Sequence, residues 1–83
     1  MKAELYTVNY CPYCKNALAF FDEHNVEYVN HDITENEEEM LKELGERFNI
    51  LGEVTVPQIL LDGRHIGGYS DLIRLYDFGV LNL

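Results

Sequence analysis

Glu4-Leu5-Tyr6-Thr7-Val8-Asn9-Tyr10-Cys11-Pro12-Tyr13-Cys14-Lys15 changes its period halfway along. Residues 4–8 are rich in strand formers and stop at Asn9-Tyr10. From Pro12 onward Cys14, Ala17, Leu18 and Phe21 fall at i, i+3, i+4 and i+7, one face of a helix that ends near His24-Asn25. A strand that runs straight into a helix, with two cysteines at the junction, is the pattern from which the rest can be read.

Working outward, residues 26–30 form a second short strand. Thr34 with Glu37 reads as a capping box, and Leu41, Leu44 and Phe48 line a face of the helix it opens. Residues 58–61 are a compact strand, and Asp62-Gly63 turns it into Arg64-His65-Ile66. Gly67-Gly68 breaks that strand, and Ser70 then caps a last helix carrying Leu72, Ile73 and Tyr76. The order β-α-β-α-β-β-α requires one parallel pair with a right-handed crossover and one antiparallel hairpin. The predicted fold class is α/β of thioredoxin-like type, a small four-stranded mixed sheet with three helices. A ferredoxin-like arrangement is the alternative. The cysteine pair at the first strand-to-helix junction favours the former.

Eighty-three residues suffice for one domain, 1–83, and not for two. A hydrophobic fraction of 47% with 6 Tyr and 4 Phe argues against disorder. Fifteen acidic residues against 6 Lys+Arg give a net charge of −9. That balance excludes nucleic acid, which needs clustered cations, and disfavours an anionic membrane surface. No apolar run reaches the roughly 20 residues of a membrane span, and residues 1–5 lack the apolar core of a leader. A soluble, cytoplasmic monomer is the expectation. Residues 22–46 hold 10 acidic residues and one basic, Lys42, and read as a solvated face that also selects among partners.

Two cysteines in one tetrapeptide are not a disulfide framework. A bridge across so small a loop adds little stability, which leaves redox chemistry. Cys11 precedes Pro12, a residue favoured at the first helical position, so Cys11 falls at the N-cap. Unpaired N–H groups and the helix dipole there favour a thiolate, the species that attacks disulfides. Cys11 is the predicted nucleophile. Cys14 sits one turn on, within bridging distance on the buried face, and is the predicted resolving thiol. A zinc site needs two further ligands, and His24, His31 and His65 show no ligand spacing, so no metal is expected.

Cys11-Pro12-Tyr13-Cys14, Thr55-Val56-Pro57-Gln58-Ile59 and His65-Ile66-Gly67-Gly68-Tyr69-Ser70-Asp71-Leu72 together resemble the glutaredoxins of the small dithiol class, in order and in spacing. The resemblance implies a thiol–disulfide oxidoreductase with glutathione as reducing co-substrate. It implies a cis Pro57 opposite the dithiol, with Val56 offering its backbone to the cysteinyl part of glutathione and Thr55 flanking the same groove. Gly67 and Gly68 allow close approach, Ser70 and Asp71 meet the γ-glutamyl end, and Tyr13 lines the groove. Clients are protein disulfides or glutathionylated proteins, with ribonucleotide reductase the family expectation. One feature departs from the pattern: many members carry a Lys shortly before the first cysteine, where Val8-Asn9-Tyr10 stands here. Lys15 and Arg47 are the candidates to replace it. An iron–sulfur carrier built from cysteine and glutathione is the rival from another class, and thioredoxin reductase is the rival reductant.

Overall fold

The computed structural model describes residues 1–83. The elements are β1 (Lys2–Thr7), α1 (Pro12–Glu23), β2 (Glu27–Asp32), a 3-10 turn (Thr34–Asn36), α2 (Glu37–Arg47), β3 (Gln58–Leu61), β4 (Arg64–Gly67) and α3 (Tyr69–Asp77). The four strands form one mixed sheet in the order β2-β1-β3-β4. β1 pairs parallel with β2, while β3 runs antiparallel to both β1 and β4. This is the expected thioredoxin-like α/β fold.

Alternation along the central strands explains how so short a chain covers both faces. Ala3 and Leu5 of β1, with Ile59 and Leu61 of β3, pack against Ala17, Phe20 and Phe21 of α1 and Leu72 of α3. Tyr6, Val8 and Leu60 point the other way and pack with Ile33 and Leu44 of α2. Cys11 and Cys14 belong to this second cluster. All four residues of β3 are buried, as a strand covered on both faces must be.

Three local expectations shift. The buried face of α1 uses Phe20 where the periodicity suggested Leu18, because α3 packs over that side and Tyr76 meets Phe20 edge-on at 5.3 Å. The Thr34–Glu37 capping box does not form. Asp32 instead takes the Thr34 N–H at 2.9 Å, opening a 3-10 turn, and Thr34 Oγ1 accepts from the Asn9 N–H at 2.8 Å. A side chain already tied to the Cys11 loop is unavailable as a cap. Finally, α3 begins two residues earlier than a Ser70 cap predicts: Gly67, at φ +112°, turns the chain so that Gly68 is the N-cap and Ser70 lies in the first turn.

The strand directions have one consequence for chemistry. The C-terminal ends of β2, β1 and β4 and the N-terminal end of β3 share one rim of the sheet. Across that rim stand, in order, the start of α2, the dithiol, the Pro57 loop and the start of α3.

Candidate functional site

Cys11 leaves β1 in extended backbone (φ −103°, ψ 112°) and forms the N-cap of α1, with Pro12 in the first turn. Its sulfur replaces the oxygen of an ordinary cap, accepting the Cys14 N–H at 3.1 Å. A donor aimed at sulfur gains strength as the sulfur gains negative charge, so this geometry suits an attacking thiolate. Cys11 Sγ also lies 3.7 Å from the Val56 carbonyl, to which its thiol donates. Both cysteines are free thiols, Cys11 8% exposed and Cys14 1%.

That difference in exposure separates their chemistry. Burial, followed by the hydrogen bond with Cys11, pushes the Cys14 thiol up from the ordinary 9.0 to about 12. Cys14 therefore stays protonated at neutral pH, which leaves attack to the sulfur at the helix cap, Cys11. The sign for stability follows from proton linkage. Between about pH 9 and 12 the folded state holds a proton on Cys14 that the unfolded chain has released. Stability from this group is intact below pH 9 and is lost as pH rises toward 12. Thermal denaturation of the reduced protein should show a steeper alkaline fall in Tm than Cys14→Ala, and an equal slope in the two would remove this assignment.

Beside the dithiol runs a groove of about 500 Å³. Tyr13 of α1 forms one wall and is 64% exposed. Thr55, Val56 and Pro57 form the floor, and the Val56–Pro57 peptide bond is cis. Gly68, Ser70 and Asp71 close the far end. Every residue assigned to the groove from the sequence, apart from Gly67, therefore lines one cavity.

Its two ends differ in what they offer. The Val56 N–H has no hydrogen-bond partner, which leaves an edge for an extended peptide. At the start of α3 the first-turn N–H groups point out of the helix and suit an anion. Asp71 turns one carboxylate oxygen back to accept the Gly68 N–H at 2.8 Å, and its other oxygen lies 3.7 Å from the Arg74 guanidinium.

Sequence reasoning missed Tyr69, which lines the groove with its ring 6.3 Å from that of Tyr13. Its place between Gly68 and Ser70 was the available signal. Also missed was a brace behind the floor. Buried Gln58 donates from Nε2 to the Thr55 carbonyl at 2.8 Å, and its Oε1 meets His65 Nε2 at 2.6 Å. The His65 ring stacks on Phe48 at 4.0 Å, and burial pushes its imidazole below the usual histidine range, so it braces as a neutral ring. Neither Lys15 nor Arg47 lines the groove. Arg47 is held by its hydrogen bond to the Tyr6 hydroxyl at 2.8 Å.

Two free thiols one turn apart at a strand-to-helix junction, one of them capping the helix, on a thioredoxin-like sheet, define a thiol–disulfide oxidoreductase. Comparison with known proteins narrows this. A glutaredoxin family model matches residues 3–66. Glutaredoxin 1 of Rickettsia prowazekii is 38% identical over 82 residues, spanning 94% of this chain and 80% of that protein. The crystal structure of Francisella tularensis glutaredoxin 1 complexed with cacodylate superposes with a TM-score of 0.74 at 30% identity, covering 95% of both chains. A buckwheat glutaredoxin–glutathione complex reaches a TM-score of 0.82 at 22% identity, covering 93% of this chain and 69% of that one, a likeness of fold. The chain belongs to the glutaredoxin family.

Proposed function

We propose that this oxidoreductase reduces protein disulfides and glutathione mixed disulfides, with glutathione as the electron donor. The observation that carries the reading is the groove itself, which sets an unpaired Val56 N–H and a carbonyl that meets the Cys11 sulfur beside an anion-accepting helix start. Glutathione presents matching groups: a peptide backbone at its cysteine and a carboxylate on its γ-glutamyl end. When Cys11 ionises, its S–H no longer occupies the Val56 carbonyl, which becomes free to accept the N–H of a bound cysteinyl residue.

Cys11 attacks one sulfur of a client disulfide. A new S–S bond joins Cys11 to the client, and the other client sulfur leaves as thiolate. In that mixed disulfide Cys11 no longer offers the hydrogen-bond contact that, after burial, raises the Cys14 thiol. Cys14 then loses its proton and attacks Cys11, releasing the second client thiol and closing the Cys11–Cys14 bridge. Two glutathione molecules regenerate the dithiol in turn and leave as glutathione disulfide. A glutathionylated client needs only Cys11.

No helix is long and apolar enough to cross a membrane. The reading places the chain in the cytoplasm, a compartment that keeps glutathione reduced, acting as a monomer on clients such as ribonucleotide reductase. The test is turnover of a glutathione mixed disulfide with NADPH, glutathione and glutathione reductase alone. Sustained NADPH oxidation is expected. Turnover that requires thioredoxin reductase and ignores glutathione would overturn the assignment.

A further inference from the structure

We infer that the groove is built for one carboxylate, so that the chain prefers γ-glutamylcysteinyl thiols whose C-terminal end is uncharged over those with a free carboxylate there. The inference rests on the reading that the γ-glutamyl end meets α3.

Glutathione carries two carboxylates, and the rim treats its two ends differently. One end of the groove has the N–H groups of α3. Its lining holds no Lys or Arg and one carboxylate, Asp71. A tripeptide spans about 10 Å extended. With its first carboxylate on α3 and its sulfur at Cys11, it must carry the second past the dithiol toward the next feature of the rim, the start of α2.

That end of the rim is acidic. Asp32 closes β2, Glu35 lies in the 3-10 turn, and Glu37, Glu38 and Glu39 fill the first turn of α2. The Tyr10 hydroxyl, on the residue before Cys11, donates to the Glu37 carboxylate, and the Asn9 N–H bonds to Thr34. These contacts fasten the acidic segment to the dithiol loop. The hydrogen bonds from Thr34 hold the Asp32 carboxyl below the usual range, so it remains charged. Val8 puts a buried apolar side chain before the loop. Of the four cations on the helices, Arg47 is bound to Tyr6, Arg74 faces Asp71, Lys15 lies a turn into α1 without an ion-pair partner, and Lys42 of α2 stands alone against Glu35, Glu37, Glu38 and Glu39. A second substrate carboxylate therefore meets like charge, a repulsion that salt screens.

The experiment uses the reduced wild-type protein in stopped flow. A fluorescent cysteine peptide is supplied as its mixed disulfide with glutathione, with glutathione glycine ethyl ester, or with cysteinylglycine. At about 20 mM salt the ester form should react at least about threefold faster than the glutathione form, and about 0.5 M salt should remove most of that advantage. Glu37→Gln should narrow it as well. Cysteinylglycine, lacking the γ-glutamyl group, should react at least about tenfold more slowly than glutathione. A glutathione form as fast as its ester, with cysteinylglycine slow, overturns the inference and leaves the groove reading standing. A cysteinylglycine form as fast as glutathione overturns both.

Discussion

Replacing Cys11 by serine is expected to lower kcat/KM for every disulfide substrate by at least about 10³, because no other sulfur on the rim can take its place. Cys14 cannot substitute: it is 1% exposed and its thiol is pushed up to about 12. Cys14→Ser should behave differently. It should retain reduction of a glutathione mixed disulfide within about tenfold, since that reaction needs one thiolate, and lose most turnover of protein disulfides. Glutathione-coupled assays on the two substrate types measure both. Activity retained by Cys11→Ser on mixed disulfides, or equal loss on both substrates in Cys14→Ser, would reverse the roles.

Gly67→Ala should be strongly damaging for the addition of one methyl group. At φ +112° the backbone of Gly67 occupies a region an alanine adopts only under strain, costing about 1–3 kcal/mol. A Cβ there would also lie 2.3 Å from Asp71 Oδ2 and 2.9 Å from its Cγ. The Asp71 side chain must swing away, breaking its hydrogen bond to the Gly68 N–H and uncapping α3 for about 1 kcal/mol more. The sum, roughly 2–4 kcal/mol, is a large part of the stability of a domain this size. Denaturant unfolding should show it, along with a raised KM for glutathione because the α3 end of the groove moves. Gly68→Ala is the control: a Cβ at Gly68 meets its nearest atom, the Pro57 carbonyl oxygen, at an ordinary 3.5 Å and should be milder for folding.

The elements most legible in the sequence were those set by neighbours along the chain. The switch from strand to helix at Cys11-Pro12, the Asp62-Gly63 hairpin and the capping position of Cys11 all emerged where expected. The misplaced details were those in which a competing hydrogen bond, a packing neighbour or a backbone turn intervened. Thr34 failed as a cap because Asn9 and Asp32 claimed its hydroxyl and amide. Phe20 displaced Leu18 on the buried face because α3 crosses there. Gly67 moved the start of α3 because its backbone turns before Ser70 can act. The groove residues were reachable only through resemblance, since nothing local in Thr55-Val56-Pro57 or Gly68 declares that they face each other. The Gln58–His65 brace left no sequence signal, being a cross-strand contact between two residues with many other uses.

Sequence alone therefore determined the element order, the dithiol and which cysteine takes the helix cap, because period, proline placement and capping act over a few residues. Tertiary structure decided the contrast between the two sulfurs, the shape of the groove and the opposed character of its ends. Those properties arise where four strand ends meet at one rim, and the strand order that brings them together follows from burying both sheet faces at once, a condition on the whole chain.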